Sequence, residues 1–157
     1  MRCIQKDESL RQAILVVEES INAIHAAQGT EPPDLPLQHV FAPGVYGRQI
    51  FIPAGTLVVG KIHRHAHLNF LIQGTVSVAT EEGPVQYHAP LMMVSKAGTK
   101  RVVYTHEDTI WATVHLTEQT DLEKIEEEII VPSYAAFDLL QDEAIRQLAP
   151  LLELEAL

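Results

Sequence analysis

The sequence predicts a mainly β chain, an antiparallel sandwich or barrel with a helical segment at each end. Three observations predict it. Between residues 38 and 117, short apolar alternations recur with Gly, Pro and Asp turn signals between them. Before that stretch one apolar stripe repeats with helical spacing, and after it the pattern returns to helix. Charge divides the chain in the same way. Residues 118–157 hold two Lys/Arg against eleven Asp/Glu, nine of the ten net negative charges, while seven of the eight histidines lie in 38–117. The expected organisation is a helical arm over 1–30, a Pro-rich linker over 31–37, a β module over 38–117 and an acidic helical extension over 118–157.

Each element has its own signal. Leu10, Ile14, Val17, Ile21 and Ile24 fall at alternating steps of four and three, one face of a helix, with Asp7 as the expected N-cap and Gly29 as the stop. Ala13 and Val16 widen that face, which favours packing on a surface over a narrow two-stranded seam. Pro32, Pro33 and Pro36 forbid continuation of the helix. Strands are expected near 38–42, 45–52, 57–62, 67–73, 75–80, 85–89, 91–95, 101–105 and 109–116, with a turn at Glu81-Glu82-Gly83-Pro84. Helix resumes at Asp121 and ends by Pro132, and Ser133 is placed to cap a last helix whose apolar side holds Phe137 and Leu140.

Composition excludes several classes. Hydrophobic residues at 46% and charged residues at 20% exclude wholesale disorder. No run approaches the ~18 apolar residues of a membrane span. A net charge of −10 argues against direct nucleic-acid binding, which needs clustered Lys/Arg. The single cysteine, Cys3, has no internal partner for a disulfide. Met1–Glu8 has no apolar leader, so synthesis in a bacterial cytoplasm is expected.

The most informative stretch runs from Gly60 to Gly74. On an extended strand Lys61, His63, His65, His67 and Asn69 share one face, and Ile62, Leu68, Phe70 and Ile72 share the other. Neutral imidazoles on one face suit a divalent transition metal. Alternate residues on a flat strand stand roughly 6–7 Å apart, however, so a bend or a second strand has to close such a site. His63, His67 and His65 are the candidate ligands, with His106 and His115 in reserve.

The stretch resembles the cupins, a family of small antiparallel jelly-roll barrels. Gly55, Lys61, His63, His67 and Gly74 stand where the first cupin motif has Gly, His, His, Glu and Gly. An alternative register puts His63 and His65 on the His pair and Asn69 at the Glu place, at the cost of the glycine spacing. In the second motif only Gly98 agrees in type, among Pro90, Lys96, Gly98, Arg101 and Thr105. The resemblance implies a cupin-like jelly roll over 38–117 whose ligand places are held by Lys61, His63, His67 and Arg101. Two cations beside a divalent ion oppose its binding, by about 4 kcal/mol per pair of unit charges at ~4 Å and an effective dielectric near 20. On this count no cofactor is expected. Lys61 and Arg101 become candidate anchors for an anion or sugar instead.

Several separate blocks extend the likeness. Phe41–Arg48, Gly60–His63, Lys100–Val102, Thr105–Trp111 and Thr117–Glu123 resemble small cupin-like proteins encoded by tailed bacteriophages. That resemblance implies a non-enzymatic structural or assembly role in a virion. The arm residues Leu10, Ile14, Val17, Ile21 and Ile24, with Phe137 and Leu140, are then the expected contacts to like subunits and other virion proteins. The competing readings are a metal-dependent cupin enzyme and a metal-free cupin that binds a sugar or an anion.

Overall fold

Period-two alternation puts every second residue of each strand on one side, and two sheets meet on those sides. The computed structural model describes residues 2–154; Met1 and the last three residues of the expected extension 118–157 lie outside the described residues. After helix α1 (Arg2–Gln28) come β1 (Leu37–Ala42), β2 (Val45–Ile52), β3 (Leu57–Val59), β4 (Ile62–His63), β5 (His67–Gln73), β6 (Thr75–Thr80), β7 (Gly83–His88), β8 (Leu91–Ser95), β9 (Val102–Thr105) and β10 (Thr109–Leu116). Helix α2 (Leu122–Ile129), strand β11 (Ile130–Val131) and helix α3 (Tyr134–Leu154) complete the chain.

The strands form the cupin-like antiparallel jelly roll. One sheet has the order β1-β2-β10-β5-β8, the facing sheet β3-β9-β6-β7, and β11 pairs with β4 at one end. Leu71 and Trp111 from the first sheet meet Val76, Val78 and Val103 from the second, all buried in one cluster. The expected single strand over 57–62 is two, because the chain leaves the sheet at Gly60, whose N–H donates to the Arg101 carbonyl at 2.8 Å.

Gly74 lies in the tight turn between β5 and β6 with φ +100°, and a Cβ there would stand 2.6 Å from Thr109 Oγ1 and 2.9 Å from the Asp108 carbonyl. Gly74→Ala is therefore expected to cost about 2–4 kcal/mol, from positive φ and overpacking together. Urea unfolding reads it, and an unchanged midpoint would contradict this account.

The helices use signals visible in the sequence, with one displacement. Helix α1 begins at Arg2, so Asp7 lies inside it and is not its cap. Its end is a Schellman turn: Gly29 has φ +64°, its N–H donates to the Ala26 carbonyl, and Thr30 N–H donates to the His25 carbonyl. Asp121 caps α2 by accepting from the Glu123 and Lys124 amides, and Ser133 Oγ accepts from the Ala136 amide at the start of α3. No helix among the described residues is long and apolar enough to cross a membrane.

Part of the expected interface is covered by the chain itself. Ile14 is 4% exposed and Phe137 is 8% exposed. Phe137 packs with Ile62, Val131 and Tyr134, and Leu15 of α1 joins that cluster. The Arg11 guanidinium lies 4.6 Å above the Tyr134 ring and 3.0 Å from Asp138, and Lys100 Nζ reaches Glu18 at 2.9 Å. These contacts hold α1 against α3 and the β8–β9 turn. Leu10, Val17 and Ile21 are half-buried, whereas Ile24 and Leu140 remain exposed. A broader apolar surface is the outer face of the five-stranded sheet. Leu68 and Val94 are register partners there, Met92 and Ile72 stand beside them, and all four are exposed.

Candidate metal centre

The site forms where the chain departs from the extended course the sequence suggests. His63 ends β4 and His67 opens β5, with a bend at Arg64-His65-Ala66 between them. The bend brings the His63 and His67 rings to 4.2 Å between centroids. It also turns His65 outward, exposed, with its carbonyl facing the His67 Nδ1 at 3.3 Å. His65 is thus excluded from the cluster it was expected to join, because the bend breaks strand parity.

The third ring comes from β10. Strand β10 lies between β2 and β5, and its inward set is Thr109, Trp111, Thr113 and His115. His115 stands 4.5 Å from the His67 ring and 5.2 Å from the His63 ring. One donor nitrogen from each of His63, His67 and His115 lies within 4.8 Å of the other two. The sequence held this residue only in reserve. Its signal was the inward parity of β10, which does not say what that strand neighbours. His106 stays apart, 2.7 Å from Ser77 Oγ on the other sheet.

These residues fit a transition metal. His67 donates from Nδ1 to the His65 carbonyl, which leaves Nε2 as the lone-pair nitrogen. That Nε2 is buried and has no hydrogen-bond partner, the kind of orphan that an ion would satisfy. Burial first, then the His67 and His115 rings and the Arg101 and Arg48 guanidiniums, push His63 down to about 3. Burial, then His67 and Arg48, push His115 down to about 4. His67 is lowered as well, chiefly by burial, against the opposing hydrogen bond from His65. All three rings are therefore neutral at neutral pH, the form that ligates metal.

Acid should unfold the metal-free protein for the same reason. In the unfolded chain these histidines protonate near their ordinary value of 6.5. In the folded chain His115 and His63 stay neutral to about 4 and about 3. Below pH 6.5 the unfolded state binds more protons, so stability falls as pH drops, by about 1.4 kcal/mol per pH unit for each such histidine. The urea midpoint should decline steadily from pH 7 to about 4, and His115→Gln should flatten that slope.

The triad faces a cavity of about 490 Å³ between the sheets. Its walls include Ile50, Val58, Val59, Val103 and Trp111, and α2 roofs it with Leu122, Ile125 and Ile129. Ile125 and Ile129 pack on Tyr46, which places the acidic extension over the barrel. Deeper in, Asn69 is fully bonded: its Nδ2 donates to Ser95 Oγ at 2.7 Å, and Trp111 Nε1 donates to its Oδ1 at 2.8 Å.

Both cations expected to repel a metal line this cavity, and they differ. The Lys61 ammonium is ion-paired with Glu126 of α2 and is 61% exposed, so its charge is balanced. The Arg101 guanidinium lines the cavity without an ion-pair partner among the described residues, and burial lowers its pKa. Arg48 of β2, which the sequence reading did not single out, also lines the cavity without an ion-pair partner among the described residues.

No protein-family model matches the chain, and no curated protein matches it in sequence. Solved structures with a similar fold include KdgF from Halomonas sp. (16% identity, TM-score 0.49, covering 58% of this chain and 86% of that one). An acetylacetone dioxygenase from Acinetobacter johnsonii is 17% identical with TM-score 0.46, covering 54% and 61% of the two chains. A cupin 2 conserved barrel domain protein from Salinispora arenicola is 16% identical with TM-score 0.44, covering 54% and 84%. The fold assignment rests on the strand order and register, and these likenesses do not go beyond fold.

Proposed function

We propose that the chain is a metal-dependent enzyme built on a cupin-like barrel, with His63, His67 and His115 as the metal ligands. The observation that carries this reading is the convergence of three neutral imidazoles, one with an orphaned buried Nε2, on one cavity. The resemblance to phage-encoded proteins implies a virion structural role, and Lys61 and Arg101 at two ligand places agree with it. The triad favours the enzyme reading instead, since His115 offers the donor that neither Lys61 nor Arg101 can.

A divalent ion bound there supplies Lewis acidity toward a substrate oxygen, through the positions that three protein ligands leave open. The chain's own residues do the rest. The apolar walls and the α2 roof cover part of the cavity, and its buried inner end, where His67 and His115 stand, is where electrostatic interactions are strongest. Glu126 is the one carboxylate lining the cavity among the described residues, and Lys61 engages it. Tyr46 is placed to hold a hydrogen bond rather than to give up its proton. Its hydroxyl stands 2.8 Å from His39 Nδ1, and burial raises its pKa, so it keeps its proton at neutral pH.

Elemental analysis of protein purified without a histidine tag tests the reading. About one Zn, Fe, Mn or Ni per chain is expected. Essentially no metal, before and after incubation with these ions, overturns it.

A further inference from the structure

We propose that the substrate is a short organic dianion, a small dicarboxylate in its simplest form, held at its two ends by Arg48 and Arg101 with its middle over the histidine triad. This rests on the reading of the triad as a metal centre for its orientation, but the anion site itself stands on the two arginines.

The argument begins with charge. The protein carries a net charge of −10, yet the cavity lining holds three cations, Arg48, Lys61 and Arg101, against one carboxylate, Glu126. Lys61 and Glu126 cancel each other. Two guanidiniums remain, and among the described residues neither has a carboxylate within ion-pair distance. Both are half-buried at the cavity wall, and the carboxylates that influence Arg101, Glu81 and Glu82, act on it only from beyond ion-pair distance, so each guanidinium keeps donors free for an anion. A counter-ion from outside the chain satisfies both.

Their placement sets the shape of that counter-ion. Arg48 belongs to β2 in the five-stranded sheet, where its register partner on β10 is Thr113, two residues before His115. Arg101 immediately precedes β9 in the facing sheet, and its carbonyl accepts from Gly60. The guanidiniums thus enter from opposite walls. Both arginines line the cavity that the triad faces, Arg48 beside β10 of the triad's own sheet and Arg101 from the facing sheet. One carboxylate on each arginine leaves the centre of the molecule facing the triad. The guanidinium fork matches a carboxylate in geometry. The apolar walls suit a short carbon chain between the two charges, and the cavity is in the size range of small-ligand sites.

The experiment is calorimetric titration, with thermal shift as a parallel readout, on metal-free and Ni²⁺-loaded protein. The probes are succinate, butyrate, succinamide and inorganic phosphate. Succinate is expected to bind at least ~10-fold more tightly than butyrate or succinamide. Arg48→Gln and Arg101→Gln should each erase the advantage of succinate over butyrate, and added salt should weaken succinate binding to the unmodified protein, a measure that needs no variant. Succinate bound no better than succinamide overturns the proposal, as does phosphate bound more tightly than succinate, or retained succinate affinity in both arginine variants. The two readings fail separately. Succinate binding lost in the arginine variants of a protein that takes up no metal keeps the anion site and removes the enzyme reading. Stoichiometric Ni²⁺ uptake with no preference for the dianion does the reverse.

Discussion

His115→Ala should reduce bound metal from about one ion per chain to near zero, and His63→Ala and His67→Ala should do the same. His65→Ala should change nothing measurable. The expected loss exceeds the 10–100-fold that removal of a supporting residue behind a ligand typically costs, because each substitution takes away one of three donors outright. The contrast with His65 is the sharp part. In sequence, His63, His65 and His67 are equivalent, two residues apart and of one parity. In the fold His65 is exposed in a bend and His115 occupies the third place. Ni²⁺ or Co²⁺ titration of the four variants checks this. Full binding by His115→Ala together with loss in His65→Ala would restore the single-strand site and overturn the assignment.

Phe137→Ala should cost about 3–5 kcal/mol of unfolding free energy, the range for truncating a buried phenylalanine. Its ring fills the space between α3 and the β8–β9 turn, where a Cβ on Gly98 would stand 2.4 Å from Phe137 Cε1 at a backbone φ of +80°. Gly98→Ala should therefore destabilise as well. The double variant should lose less than the two single costs together, because the cavity left by the ring relieves the clash. The cost of Phe137→Ala should not depend on protein concentration, as it would if the ring packed against a second subunit. Urea unfolding at two concentrations reads both points. A concentration-dependent midpoint would return Phe137 to an interface between chains.

How much of this was legible in the sequence depends on the range of the interaction. Strand alternation in 45–52, 67–73 and 109–116 was readable, because the side-chain period is a property of the local backbone. So were the Gly29 stop and the Asp121 and Ser133 caps, each a matter of a few adjacent residues. Asp7 was a false start: its cap chemistry was right, but the helix already begins at Arg2. The inward parity of Arg48 with Tyr46, Ile50 and Ile52 was present in β2 as well, without any sign of what lay across from it.

The site itself was only half legible. The amino-acid sequence alone determined the barrel class, the helical ends and two of the three clustered histidines, since these follow from local periodicity and spacing. The tertiary structure decided the rest. It placed β10 between β2 and β5, which brought His115 to a pair of histidines nearly fifty residues earlier in the chain. It laid α2 over the barrel, so that Glu126 neutralised Lys61 and the strongest sequence argument against a metal lost half its force. And it set Arg48 and Arg101 on facing walls. Charge and ligation act through space, with energies that fall with distance and rise with burial, so they are settled only once remote segments share one low-dielectric cavity.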